Sequence, residues 1–138
     1  MNHSFAWAAG AAISTASELA TWTEALVTGR LLKSVYQRAW LESLRPTDAS
    51  APGGQQYGYG IGQLRWAGNA MYFHGGETAG YNSFMGYDPV NKVTLVVWTN
   101  LTVALDGVPT ANTLMLKVLD RVYVASPLHP RAASAAPR

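Results

Sequence analysis

The chain has 138 residues, enough for one domain or a large piece of one, and 49% hydrophobic against 13% charged residues excludes a disordered polypeptide. Arg131 and Arg138 account for the formal charge of +2, so eight bases face eight acids up to residue 130, which gives no footing to a nucleic-acid binder. The absence of cysteine excludes disulfides and thiolate catalysis without fixing the compartment, and no apolar run approaches the roughly 18 residues of a membrane-spanning helix.

The stretch Phe5-Ala-Trp-Ala-Ala-Gly-Ala-Ala-Ile13 has the apolar character of a secretion signal. No Lys or Arg precedes it, however, and a helix start follows at once, so no cleaved signal is expected. That start is Thr15-Ala-Ser-Glu18, which fits a capping box. Leu19, Trp22, Leu26 and Ala25 then fall at helical spacing, and Gly29 suits the C′ position. Ser34-Val-Tyr-Gln37 reads as a second cap, Val35, Ala39, Leu41 and Leu44 as a short apolar face, and Pro46 as its stop. Residues 47–54 are rich in Ser, Pro, Gly and Ala and predict a loop.

From Tyr57 the pattern changes. Tyr57-Gly-Tyr-Gly-Ile-Gly-Gln-Leu-Arg65 alternates glycine with larger residues and predicts a strand approached closely by other backbone. Ala67-Gly68-Asn69 can turn it into a second strand, Ala70 to His74, followed by a Gly-rich bend and a third strand, Tyr81 to Tyr87. Asp88-Pro-Val-Asn91 is a turn. Val93-Thr-Leu-Val-Val-Trp-Thr99, β-branched and nearly all apolar, predicts a strand buried on both faces, with Trp98, like Trp22, in the core. Ala111, Leu114, Met115, Val118, Leu119 and Val122 mark a helix stripe behind Pro109, and residues 126–138 read as a disordered tail. Two helices, a run of antiparallel strands and a last helix give an α+β architecture, an antiparallel sheet flanked by helices, over residues 1–125.

The segment Phe73-His-Gly-Gly-Glu-Thr-Ala-Gly-Tyr-Asn-Ser83 is the most informative. A histidine and two glycines at a strand end let a ligand lie against bare backbone, whose free N–H groups are the raw material of an oxyanion hole. On spacing alone the plainer reading comes first: a hairpin bend with His74 as a partly exposed strand-end residue.

The ordered set of segments adds to this. His74-Gly75-Gly76, Gly80-Tyr81-Asn82-Ser83, Asp88-Pro89 and Val96-Val97-Trp98-Thr99-Asn100 together resemble the third conserved block of the serine β-lactamase and D-alanyl-D-alanine carboxypeptidase superfamily, in its class C-like, His-x-Gly branch. Trp7-Ala-Ala-Gly10 with Ile13-Ser-Thr-Ala-Ser-Glu-Leu-Ala20, and Tyr57-Gly-Tyr-Gly-Ile61, are similar to upstream segments of the same branch, so the likeness runs over roughly residues 5–124. The resemblance implies an incomplete β-lactamase/transpeptidase-like fold. It places His74 and Gly76 on the strand facing the substrate's carboxylate and acyl group, and makes the backbone N–H of Glu77 one of two oxyanion donors. Gly75 stands where the family often has a hydroxyl, which leaves esterase-like and peptidase-like activities open beside carboxypeptidase and β-lactamase. Tyr57 and Tyr59 flank the presumed site and either wall the pocket or belong to a hydrogen-bonded core. The carboxylate of Glu77 reads as an acid–base group or, more plainly, as a rim charge in solvent.

The family acylates the serine of a Ser-x-x-Lys motif. Here Lys33, Lys92 and Lys117 have Arg30, Pro89 and Leu114 three residues before them, none of the seven tyrosines has Asn two residues later, and no Gly-x-Ser-x-Gly occurs. The resemblance therefore implies that the nucleophile, its base and the second oxyanion donor lie upstream of Met1, in a longer protein, and that this portion is inactive alone. His3, His74 and His129 lack metal-ligand spacing, so no metal and no cofactor is expected. The expected partner is a small-molecule or peptide substrate: a peptidoglycan-type peptide, a β-lactam or an ester. Without further strands the edge of Val93–Thr99 would be exposed, which favours self-association.

Overall fold

The computed structural model describes residues 3–50 and 54–125. Its centre is a six-stranded antiparallel sheet in which every strand pairs with its neighbour in sequence. The strands are β1 (Arg45–Pro46), β2 (Gln56–Tyr57), β3 (Gly62–Trp66), β4 (Asn69–Thr78), β5 (Tyr81–Asp88) and β6 (Val93–Thr99). A 3-10 stretch, His3–Ala9, kinked at Trp7, leads to helices α1 (Ala16–Val27) and α2 (Ser34–Glu42); α3 (Thr110–Asp120) follows the sheet and runs into a π turn, Arg121–Ala125. The fold is thus α+β, an antiparallel sheet flanked by helices. The predicted tail, 126–138, and residues 51–53 of the predicted loop lie outside the described residues.

The period-2 alternation of the strands divides the core in two. Met71, Phe84 and Val97 point to one face and pack against Ala111, Met115 and Leu119 of α3, one residue per turn. Tyr87 and Tyr72 point to the other, where Val27 of α1, Trp40 of α2 and Ile61 gather. Leu114, assigned to the α3 stripe from its spacing, is exposed, because the strip that meets the sheet is the narrower i, i+4, i+8 row.

Helix α1 begins and ends as its sequence directs. Thr15 Oγ1 accepts from the Glu18 N–H at 3.3 Å, and Glu18 accepts from the Thr15 N–H at 2.7 Å, closing the capping box. At the other end Gly29 takes φ +78°, the Gly29 N–H reaches Leu26 O and the Arg30 N–H reaches Ala25 O, a Schellman closure. Its buried face runs through Thr23 and Val27 rather than Trp22, which is 54% exposed; the Thr23 hydroxyl tolerates burial by donating to Leu19 O at 2.7 Å. The predicted cap of α2 does not form. Lys33 holds the N-cap position, and Gln37 instead donates to the last carbonyls of α1, Leu26 O at 3.0 Å and Val27 O at 3.3 Å. Trp40, not Val35, is the buried anchor of α2.

Two further departures concern the strands. The glycine-rich segment is not one strand but two, broken by a turn in which the Gly58 N–H donates to Ile61 O and Gly60 takes φ +68°. That turn is held on α2, since Trp40 Nε1 donates to Tyr59 O at 2.8 Å and Ser43 Oγ accepts the Tyr59 N–H at 2.9 Å. Strand β6 is the last of the sheet, and only Val97 is buried in it; Trp98, 51% exposed, is not core, because the helix-covered rows end short of it.

Asp88 anchors the far end of the sheet. It is fully buried and accepts four hydrogen bonds: from the Val90 and Asn91 N–H groups, from Asn91 Nδ2 at 2.7 Å and from the Tyr123 hydroxyl at 2.7 Å. Burial alone would raise its pKa, but these donors outweigh burial and hold it below the usual carboxylate value. A depressed folded-state pKa means stability that is present above the unfolded value of about 4 and lost as pH falls through the folded one. Urea unfolding midpoints should therefore fall below about pH 4, and Tyr123→Phe should cost about 2 kcal/mol at neutral pH and flatten that acid limb. Gly62 offers a second check. A Cβ there would sit 2.6 Å from Phe73 Cε1, so Gly62→Ala should cost about 1–3 kcal/mol by thermal melting, with partial recovery on adding Phe73→Leu.

Candidate functional site

The predicted Gly-rich bend is not a bend. β4 runs straight through His74, Gly75, Gly76 and Glu77 to Thr78, and the chain reverses at Ala79-Gly80, where glycine supplies φ +82°. Register explains what is special about this stretch. In an antiparallel pair, residues alternate between those that exchange N–H and C=O with the partner and those that face away. The two-residue turn Ala67-Gly68 closes on the pair Trp66↔Asn69, so Met71 and Phe73 also face β3. The turn Ala79-Gly80 closes on Thr78↔Tyr81, so Gly76, His74 and Tyr72 face β5. Both turns assign Gly75 and Glu77 to the β3 side. β3, however, ends at Gly62 opposite Phe73, because the Gly58–Ile61 turn carries the chain away onto α2. The N–H groups of Gly75 and Glu77 therefore point out of the sheet edge, with no strand opposite them among the described residues.

The side chains complete the picture. Tyr57 reaches past the end of β3, and its hydroxyl lies 2.8 Å from His74 Nε2. Tyr59 stands 75% exposed, and its recorded hydrogen bonds are those of its main chain, so it is not brought to His74. Glu77 is exposed, and the ion pair seen among the described residues, Arg30–Glu24, does not involve it. A Cβ at Gly76 would meet Ser83 Oγ at 2.8 Å, so a side chain there would push the Ser83 hydroxyl aside. The Gly76 carbonyl accepts from Asn82 Nδ2 at 3.2 Å and from Ser83 Oγ at 3.3 Å.

Beside Gly76 and Glu77 opens a groove of about 930 Å³, lined also by Ser83, Trp98 and Tyr81 and by Ala9 and Gly10 at the end of the 3-10 stretch. His74 and Tyr57 do not line it; they continue the same strand edge on the other side of Gly75. Among the described residues no group of three or more His, Cys, Asp or Glu could hold a metal ion, and His129 lies outside them. Ser83, the serine among the described lining residues, donates its hydroxyl to the Gly76 carbonyl at 3.3 Å.

His74, Gly75, Gly76, Glu77 and Tyr57, singled out from the sequence, lie along one edge of the sheet. Asn82 lies in the same quoted segment, but the sequence assigns it no role. This residue is 6% exposed and links Gly76 to α3, its Oδ1 accepting the Ala111 N–H at 2.9 Å. Its partner lies 29 residues on, which no local pattern signals. Trp98 and Tyr81 were likewise invisible as groove-lining residues, being read as core and as part of a strand.

Compared with known families, residues 1–120 match the family model described as Beta-lactamase. No curated protein and no solved structure matches the chain. With that match spanning most of its length, and with a six-stranded antiparallel sheet backed by helices, the chain belongs to the beta-lactamase family.

Proposed function

We propose that this chain is the substrate-facing portion of a serine hydrolase: it presents backbone donors to the acyl and carboxylate groups of a ligand, and it does not acylate by itself. The family is one of serine hydrolases acting on small molecules. The observation that most supports the reading is the pair of unopposed N–H groups at Gly75 and Glu77, in a strand overhang beside the groove. Fixed amides of this kind stabilise charge developing on an acyl oxygen because they need no reorganisation as the reaction proceeds. In this reading the Glu77 N–H is the oxyanion donor. His74, its ring tied to the Tyr57 hydroxyl, sits one residue before the free Gly75 amide and faces a substrate carboxylate. A D-alanyl-D-alanine peptide, a β-lactam or an ester shares the carbonyl this arrangement needs. The attacking hydroxyl and its lysine are not among these 138 residues, which hold no Ser-x-x-Lys.

The purified chain, given nitrocefin, a p-nitrophenyl ester and a D-alanyl-D-alanine peptide, should show no turnover above buffer. A fluorescent penicillin should bind reversibly, leave the intact mass unchanged, shift the Gly75 and Glu77 amide resonances, and bind more weakly to His74→Ala. Turnover or a covalent adduct that survives His74→Ala would overturn the reading, and so would a penicillin that fails to bind.

A second reading, a protein-interaction module, rests on a different observation. β6 ends the sheet, and the alternation that turns Val93, Leu95, Val97 and Thr99 toward β5 leaves the N–H and C=O groups of Thr94, Val96 and Trp98 facing outward. Such an edge is a template for another strand. Sedimentation velocity should then show concentration-dependent association that Thr94→Lys suppresses; a concentration-independent monomer with a cooperative melt removes this reading.

A further inference from the structure

We infer that Asn82 is a positioning residue for the Glu77 amide, gripping the Gly76–Glu77 peptide from behind and tying it to the first turn of α3. The inference rests on the oxyanion role proposed above for that amide. Covalent geometry makes the link. A peptide unit is planar and trans, so the Gly76 C=O and the Glu77 N–H, which belong to one unit, point in opposite directions. Whatever fixes the carbonyl fixes the amide.

Besides the ladder bond from the Ser83 N–H, two side chains hold that carbonyl, and they reach it from opposite faces of the sheet. Asn82, directly across from Glu77 in the register, lies on the α3 side and donates Nδ2 to Gly76 O at 3.2 Å. Ser83, one residue on and so on the other face, donates its hydroxyl to the same oxygen at 3.3 Å. A carbonyl held from both sides cannot tilt readily to either face, which pins its N–H in the plane of the sheet, toward the space β3 has left. Each bond accepted at the carbonyl also polarises the peptide and makes the N–H a better donor, since hydrogen bonds in a chain strengthen one another.

Asn82 has little freedom of its own. It is nearly fully buried, and its Oδ1 accepts the Ala111 N–H at 2.9 Å in the first turn of α3. The residues around it reinforce the connection: Thr99 Oγ1 donates to Asn82 O at 3.2 Å, and Thr102 Oγ1 donates to Thr78 O at 2.9 Å. An asparagine is the side chain that serves both ends, offering a donor to a strand carbonyl and an acceptor to a helix N–H. A purely structural role, capping α3, would need only the acceptor.

That difference sets the experiment, on the whole 138-residue chain labelled with 15N. Asn82→Asp keeps an acceptor for Ala111 and loses the donor to Gly76. It should leave the helical signal of α3 intact, move the Glu77 proton resonance upfield, and weaken fluorescent-penicillin binding about fivefold. Asn82→Ala should do the same and lower the melting temperature further. Ser83→Ala, at a half-buried position outside the core, should move the Glu77 resonance in the same direction, which keeps the test decisive if the Asn82→Asp variant does not fold. Glu77 resonances unmoved in the folded variants would overturn the inference. If the unaltered chain binds no penicillin, the proposed function fails on its own, and the Glu77 resonance still decides the role of Asn82.

Discussion

A strand can outrun its neighbour. β4 continues five residues past the point where β3 leaves it, and the edge chemistry of this protein follows from that mismatch. Ladder geometry then leaves no choice about which groups are free: the alternation set by two tight turns makes them those of Gly75 and Glu77. The origin of the overhang lies elsewhere in the chain. Gly60 adopts a left-handed conformation, the Tyr59 main chain is captured by Trp40 and Ser43, and Ile61 is pulled under the second core cluster. The α2 helix thus shapes the site without touching it, by deciding where β3 begins.

Free edge amides cost little while water occupies them, but they become unsatisfied if something apolar covers them. They therefore select for a ligand carrying an acceptor, a carbonyl or carboxylate oxygen. The surroundings favour the approach of such a ligand. Gly75 and Gly76 put no Cβ in its path, and the adjoining groove offers two exposed aromatic faces, Tyr81 and Trp98.

Much of this was legible in the sequence, unevenly. Local signals read true where the physics is local: the Thr15–Glu18 box, the left-handed Gly29 and the Asp88 turn each depend on residues within a few positions. Spacing failed where a tertiary contact decides. Trp22 and Trp98 fit apolar stripes and are exposed, because the packed strip is narrower than the stripe. Ser34-Val-Tyr-Gln37 reads as a cap, yet Gln37 finds the open carbonyls at the end of α1. The double glycine suggested a bend, but glycine does not forbid an extended strand, and the pairing with Phe84 and Ser83 selects the strand. The neighbours of the site could be named from the chain; the face each amide presents could not, since that depends on where β3 stops.

β5 carries the two buried polar residues that tie the layers together. At one end Asn82 joins Gly76 to α3; at the other Asp88 joins the β5–β6 turn to Tyr123, just after the same helix. Between them Phe84 supplies apolar packing that is strong but not directional. Apolar contact alone would let α3 slide along the sheet at small cost. Hydrogen bonds at both ends fix its position along β5, because a slip would leave buried groups unpaired. The helix so fixed is what holds Asn82, and Asn82 what holds the Gly76 carbonyl. The orientation of a single exposed amide on β4 is therefore set by a register lock that spans the whole length of the neighbouring strand.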